Sequence, residues 1–327
     1  MALRELLAAA VFLGLPFTAA GWQAPVYTVQ GRVENSHGAD VKAAAIRLTL
    51  ASPAVILSEL TDASGRFSFG APQAGSYTLT VATTEGIREF PAPASSTEGL
   101  VLRMKRNPGM HRHDLGIAPA TVSVNDLQAP IKAQTTLVKA EKALEKSDEG
   151  GAWKLLNQAI QEAPAWSRAY SDRASISLSR KNYAAARSDL DMALARNPRN
   201  TAALTMLGRL EFIIGDTATA QEHLEEALRL PPVYWSTYLD MALLDIRLHR
   251  YLAARTLAEK ALQDAPPSPA AAYFLIGESY FYTHHYDQAK WNMEVYYALL
   301  PDSPANARGR ASAMRNLNYL AKHHLVH

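Results

Sequence analysis

The residues able to do chemistry are few and scattered. His223 and Glu226 stand in the run His223-Leu224-Glu225-Glu226, a spacing at which a helix can offer zinc an imidazole and a carboxylate, with a distant third histidine still required. Leu224, Ala227 and Leu228 mark the apolar side of the same helix, so His223 and Glu226 fall on its polar side and the run reads as a solvated helix face. His111, His113 and Asp114 form a second cluster whose imidazoles suit zinc or copper, but they follow the loop signal Pro108-Gly109 and bring no fourth ligand. Asp62 is a lone carboxylate where calcium takes about six to eight oxygens. With 0 Cys there is no thiolate zinc site, cysteine nucleophile, disulfide or cysteine-borne lipid. No Gly-x-Ser-x-Gly elbow, phosphate loop or zinc helix occurs, and His249 and the His323-His324 pair bring no nucleophile with them. The sequence therefore predicts a protein that is not an enzyme, with no catalytic residue, no metal and no cofactor.

The elements that would position any site fall into two halves. A chain of 327 residues, 48% hydrophobic, can bury two cores. Its 33 basic and 31 acidic residues leave a net charge of +2, which gives no electrostatic reason for nucleic acid or an anionic membrane as partner. Residues 1–20 read as a signal peptide: Arg4 precedes the apolar run Leu6 to Phe17, which closes on Thr18-Ala19-Ala20. That run is shorter than the roughly 20 residues needed to cross a bilayer, and no later segment is apolar enough to do so. The expectation is a protein that is not integral to a membrane after cleavage, periplasmic or secreted in a bacterial cell envelope, a setting that the lack of cysteine suits.

Residues 26–103 carry short β-branched runs separated by turn residues, as a compact antiparallel sandwich does. The predicted strands are Val26–Val33, Ala45–Leu50, Ala54–Leu60, Arg66–Gly70 and Tyr77–Ala82. Turns are supplied by Asn35-Ser36-His37-Gly38, Asp62-Ala63-Ser64-Gly65 and Ala74-Gly75. The order Gly31-Arg32-Val33, then Thr61-Asp62-x-x-Gly65-x-Phe67, then Ala74-Gly75-Ser76-Tyr77-x-Leu79-x-Val81 resembles the carboxypeptidase regulatory-like domain. The resemblance implies a transthyretin-like fold of about seven strands, in which Gly65 and Phe67 mark a hairpin entering the core and Tyr77 begins an inner strand.

Residues 104–132 read as a linker, in which Thr121 to Val124 alternates like a strand able to return to the sandwich. Beyond it the strongest signal is a fixed period. Pro164, Pro198, Pro232 and Pro266 recur every 34 residues, as do Ala152, Ala186, Ala220 and Ala254, then Ala159, Ala193, Ala227 and Ala261, and lastly Ala140, Ala174, Gly208 and Ala242. After one inserted residue, Gly277, Ala289 and Pro301 repeat the internal spacing. Each unit reads as two antiparallel helices in contact at the small residues, with the proline ending the second helix. These series resemble the tetratricopeptide repeat (TPR), with Tyr170, Leu204, Tyr238 and Tyr273 at that family's large-residue position and Thr136 departing from it in the first unit, whose first helix is expected to fray. Five repeats are expected over 133–301 and an amphipathic capping helix over 302–327. The fold class is thus multidomain: an all-β sandwich followed by an all-α TPR solenoid.

In TPR proteins the first helices line a concave groove that takes peptides or partner helices. The resemblance projects Leu178, Arg209, Phe212, Ile213, Leu239, Leu243, Ile246, Phe274, Glu278, Phe281 and Tyr282 towards that groove, a largely apolar wall of the kind that marks a binding site. The clamp by which some TPR proteins hold a carboxylate tail would correspond to Leu137, Glu141, Ser171, Ser175, Thr205 and Arg209, of which only Arg209 fits. The expected function is a protein–protein interaction scaffold that takes an apolar peptide or helix. The alternative is envelope or carbohydrate attachment through aromatic residues exposed on the sandwich, drawn from Trp22, Tyr27, Phe67, Phe69, Tyr77 and Phe90. Mass spectrometry of the exported protein should find a mature N-terminus at Gly21, and an intact Met1 would refute the export signal.

Overall fold

The computed structural model describes residues 27–50, 55–71, 76–93, 100–104, 129–231, 233–264, 269–304, 306–323 and 325–326. The expected signal peptide, Pro266 and nearly all of the linker, with His111, His113, Asp114 and Thr121 to Val124, lie outside the described residues.

The first half is a sandwich of two sheets. Its strands are β1 (Tyr27–Glu34), β2 (Ala45–Leu50), β3 (Val55–Leu60), β4 (Arg66–Ala71), β5 (Ser76–Thr83), β6 (Gly86–Pro93) and β7 (Leu100–Arg103). One sheet has the order β4-β1-β7, with β7 parallel to β1, and the other runs β3-β2-β5-β6 with antiparallel neighbours. Alternate residues of β1, β2 and β5 (Val29, Val33, Ile46, Leu48, Leu79 and Val81) point inward and are wholly buried between the sheets. Gly65 adopts φ +68°, and a Cβ there would stand 2.9 Å from the Val33 carbonyl, so this turn requires glycine. Asp62 holds the same turn by accepting from the amides of Ser64 and Arg66, so its Oδ1 is already engaged. Phe67 and Tyr77 are core residues, as the resemblance implies.

The second half is a stack of antiparallel helix pairs. These are α1 (Ile131–Glu145) with α2 (Glu149–Glu162), α3 (Ser167–Ser179) with α4 (Tyr183–Arg196), α5 (Thr201–Ile214) with α6 (Thr217–Arg229), α7 (Trp235–Arg247) with α8 (Tyr251–Asp264), and α9 (Ala270–Tyr282) with α10 (Tyr286–Leu299). A last helix, α11 (Ala307–Lys322), closes the stack against α10. Among the described residues the periodic alanines are at most 1% exposed, and Gly208 and Gly277 are buried. A Cβ on Gly208 would lie 2.5 Å from Leu224 Cγ, so α5 and α6 touch where a side chain is missing. Within each pair the turn repeats one geometry: Ser147, Lys181, Gly215, His249 and His284 all have positive φ. The amide of the following residue reaches back to a carbonyl five residues earlier, as Asp148 does to Ala143 and Arg250 to Asp245, the bonding of a left-handed helix cap. α1 is helical from its first turn, and the Thr136 hydroxyl lies within hydrogen-bond distance of both the Lys132 carbonyl and Glu162 of α2, where other units place a large side chain.

The sandwich is docked on the last helix pair. Leu60, Ala45, Ala82 and Ile87 lie side by side across β3, β2, β5 and β6, small residues in the middle and large ones at the edges, and α10 seats Trp291, Val295, Ala298 and Leu299 on this row. One step along the strands the row turns polar. Lys290 donates to the Ser58 carbonyl and the Arg47 guanidinium lies 4.3 Å from the Trp291 ring centre. Glu294, 3% exposed, sits 3.6 Å from Lys290. Burial pushes the Glu294 carboxyl up to about 7 and pushes Arg47 down to about 10, which leaves Arg47 charged at neutral pH.

The close approach of α5 and α6 yields a contrast between two glycines. Gly208→Leu should cost about 1–3 kcal/mol by overpacking, whereas Gly150→Ala, on the exposed side of α2, should gain about 0.5–1 kcal/mol. Denaturant melts of the two variants check both signs.

Candidate functional site

The first helices of successive pairs lean on one another, α3 on α5, α5 on α7 and α7 on α9, and polar side chains tie them together. Asn200, the N-cap of α5, donates from its side-chain amide to the hydroxyls of Ser167 and Ser171, and the hydroxyls of Thr205 and Thr237 meet at 2.8 Å. Arg209 grips Asp240 with Nε at 3.0 Å from Oδ1 and Nη2 at 2.9 Å from Oδ2, a bidentate pair. The nearby Asp240 charge raises Arg209, while burial raises the Asp240 carboxyl against the pull of Arg209. Nearer the start of the stack, Arg168 bridges Glu141 of α1 and Asp172 of its own helix. Burial pushes Asp172 up to about 7, with Arg168 opposing and Glu141 adding to the rise.

Beside the Arg209–Asp240 pair the wall opens into a cleft of about 360 Å3 between α5, α7, α9 and α10. Its apolar lining includes Trp235, Leu239, Leu243 and Phe274, and the Tyr296 ring of α10 packs against Phe274 with centres 5.0 Å apart. This volume lies at the lower end of the range for ligand pockets, and the lining combines apolar walls with one fixed polar pair, as such pockets do.

Residues 28–103 match the family model of the carboxypeptidase regulatory-like domain. Among curated proteins, none matches the chain. Among solved structures, the APC/C hetero-tetramer Cut9–Hcn1 is similar at 16% identity and a TM-score of 0.50, over 56% of this chain and 36% of that one. This chain thus spans little more than a third of that structure. A thermophilic TPR protein of Thermus thermophilus is similar at 20% identity and a TM-score of 0.47, over 56% of this chain and 99% of that one. PilW, a widely conserved type IV pilus biogenesis factor, is similar at 17% identity and a TM-score of 0.48, over 59% of this chain and 93% of that one. At these identities the likeness is one of fold. The helical half has the fold of a TPR-like solenoid.

On this solenoid the residues projected towards the groove separate into groups. Arg209, Leu239, Leu243 and Phe274 line the cleft together. Phe281 and Tyr282 continue from Phe274 along α9, with Tyr282 stacked on Tyr251 at 4.7 Å and Phe281 edge-on to Tyr319 of α11 at 5.6 Å. Glu278 lies between them, one turn from Phe274 and one from Tyr282, and burial raises its carboxyl above the usual range. Ile213 is exposed. Leu178 and Ile246 pack against the repeat cores, and Phe212 is partly buried with the Arg247 guanidinium 4.7 Å from its ring centre. Arg209, which fitted a carboxylate clamp by type, is committed to Asp240.

The periodicity pointed to first helices alone and so missed Tyr296, and among the first-helix residues it did not single out Trp235 or Asp240. Trp235 begins α7 and Tyr296 belongs to a second helix, while Asp240 is marked only by its arginine partner one repeat earlier. On the sandwich, Phe67, Phe69 and Tyr77 are buried and Phe90 packs against the core. Of the zinc-like pair, Glu226 is bound to Arg229 at 2.7 Å, while His223 is half-buried and its Nδ1 has no hydrogen-bond partner among the described residues. No group of three or more His, Asp or Glu able to hold a metal occurs among the described residues. No helix among them is long and apolar enough to cross a membrane.

Asp172 and Glu294 keep their protons to about pH 7 in the folded protein, against ordinary values of 3.8 and 4.5. The folded state therefore binds more protons than the unfolded chain between those limits, and stability should fall as pH rises through that window and level off above it. Melting temperatures should be higher near pH 5.5 than near pH 8. Asp172→Asn and Glu294→Gln should each flatten the profile, and a profile that rises over the same range would contradict the assignment.

Proposed function

We propose that this protein is an exported, non-enzymatic interaction scaffold of the bacterial cell envelope, periplasmic or secreted, which holds an apolar peptide or partner helix in its TPR groove. The observation that carries the reading is the unfilled cleft bounded by Trp235, Leu239, Leu243 and Phe274. Close-packed interiors leave few such spaces, and the flanking surface keeps large apolar side chains in water, with Ile213 at 47%, Leu243 at 37% and Tyr282 at 49% exposure. The acids Asp172, Asp240 and Glu294 each pair with an arginine or lysine, the arrangement of structural ion pairs. Attachment through sandwich aromatics has less support, because Phe67, Phe69 and Tyr77 are spent on the core. Export rests on the apolar run Leu6 to Phe17, which the docked domains neither require nor oppose.

The test is retention of peptides from a random display library on the immobilised full chain. Apolar peptides should bind and shift the fluorescence of Trp235, with Trp235→Phe identifying the signal. Leu243→Asp combined with Phe274→Ala should weaken binding at least tenfold while the helical circular dichroism is unchanged. Equal retention by the double variant would discard the groove.

A further inference from the structure

Beyond the cleft the wall changes character. Along α9, Phe274, Glu278 and Phe281-Tyr282 follow at successive turns on one helix face, so the carboxylate is set among rings. The Tyr282 ring stacks face to face on Tyr251 with a 14° interplanar angle, and Phe281 stands at 90° to Tyr282. Glu278 thus stands one helical turn from Phe274 of the cleft and one from Tyr282 of the ring stack. It is half-buried, and among the described residues no hydrogen bond or ion pair reaches it.

The neighbouring cations are already committed: Arg209 to Asp240, Arg247 to the face of Phe212, Arg255 to the face of Tyr280 and to Glu259, and Arg310 to the face of Tyr297. None of these four arginines pairs with Glu278. A half-buried carboxylate without a partner is unfavourable, and what relieves it is an incoming cation. Aromatic faces attract the same cation, because a ring quadrupole is negative above its plane.

Building on the proposed groove function, we infer that Glu278, with the faces of Tyr282, Tyr251 and Tyr296, forms a seat for a lysine or arginine side chain of the bound segment. A large apolar residue of the same segment fills the adjoining cleft against Leu243 and Phe274. The partner is thus a peptide or helix that is apolar with one basic residue at a fixed distance from its apolar anchor, and not an acidic tail. Ordinary repeat grooves that bind carboxylates present cations, whereas this one has its arginine neutralised and its carboxylate free.

Random-peptide display on the full chain reads the inference directly. Peptides retained by the wild type should be enriched in lysine or arginine at a constant spacing from a large apolar residue. In one retained peptide, replacing the basic residue by norleucine should weaken binding about tenfold. Glu278→Gln should weaken the parent peptide by a similar factor and leave the norleucine peptide unchanged, so that the two losses are not additive. The norleucine arm does not depend on how the protein variant folds. Retained apolar peptides with no basic preference, or with an acidic one, would overturn the seat and leave the groove standing. Equal weakening of both peptides by Glu278→Gln would also overturn it. A library from which nothing is retained would overturn the groove reading and the seat with it.

Discussion

Two helices of each pair come together where a side chain ends at Cβ or is absent, and the solenoid depends on that approach. Ala174, Ala186 and Ala193 are wholly buried in one pair, as are Ala242, Ala254 and Ala261 in another. In α5 the requirement is stricter, since Gly208 leaves room for Leu224 of α6. Close approach excludes water from each pair but buries little apolar surface within it, so a pair gains the rest of its core from the next one. The clusters show this, for Tyr170 and Ala174 of α3 share a core with Ala203, Met206 and Leu207 of α5. Repetition of that sharing aligns the first helices into one wall, and the wall is what the cleft interrupts.

The same logic accounts for the far end of the stack. A terminal pair has one side without a neighbour, and here α10 is covered by α9, by α11 and by the outer face of a β-sheet. Trp291, Asn292, Met293, Glu294 and Val295 are consecutive and all buried, which a helix shows only when it is enclosed on every side. Enclosure places Arg47, Lys290 and Glu294 between two domains in low dielectric, where burial raises the Glu294 carboxyl to about 7 against the pull of Lys290 and Arg47. The sandwich therefore covers the end of the stack together with α11.

Much of this was legible in the sequence, and the exceptions have physical causes. The periodic alanines, glycines and prolines identified the helix pairs because steric exclusion leaves so few residue types at a close contact. The β-branched alternation identified β1 to β5. It passed over β6, whose Pro91 and Pro93 cannot donate to a ladder and are tolerated because β6 is an edge strand. It also passed over β7, whose four residues are too few to show a period. The docking of sandwich on solenoid was hidden because Ala45 and Ala82, on the outward side of their strands, look like ordinary surface residues until α10 covers them. Of the cleft lining, Arg209, Leu239, Leu243 and Phe274 were legible among the projected inner-wall positions. Which of them face open space depended on partners that periodicity does not show, namely Asp240 for Arg209 and Arg247 for Phe212.

A structure of the full chain with a tightly retained peptide tests the central claim most directly. The account predicts an apolar side chain of the peptide in the cleft, in contact with Trp235, Leu243 and Phe274, with the backbone following the inner wall of the solenoid. A peptide seated on the sandwich, or on the outer helices α2, α4 and α6, would contradict it.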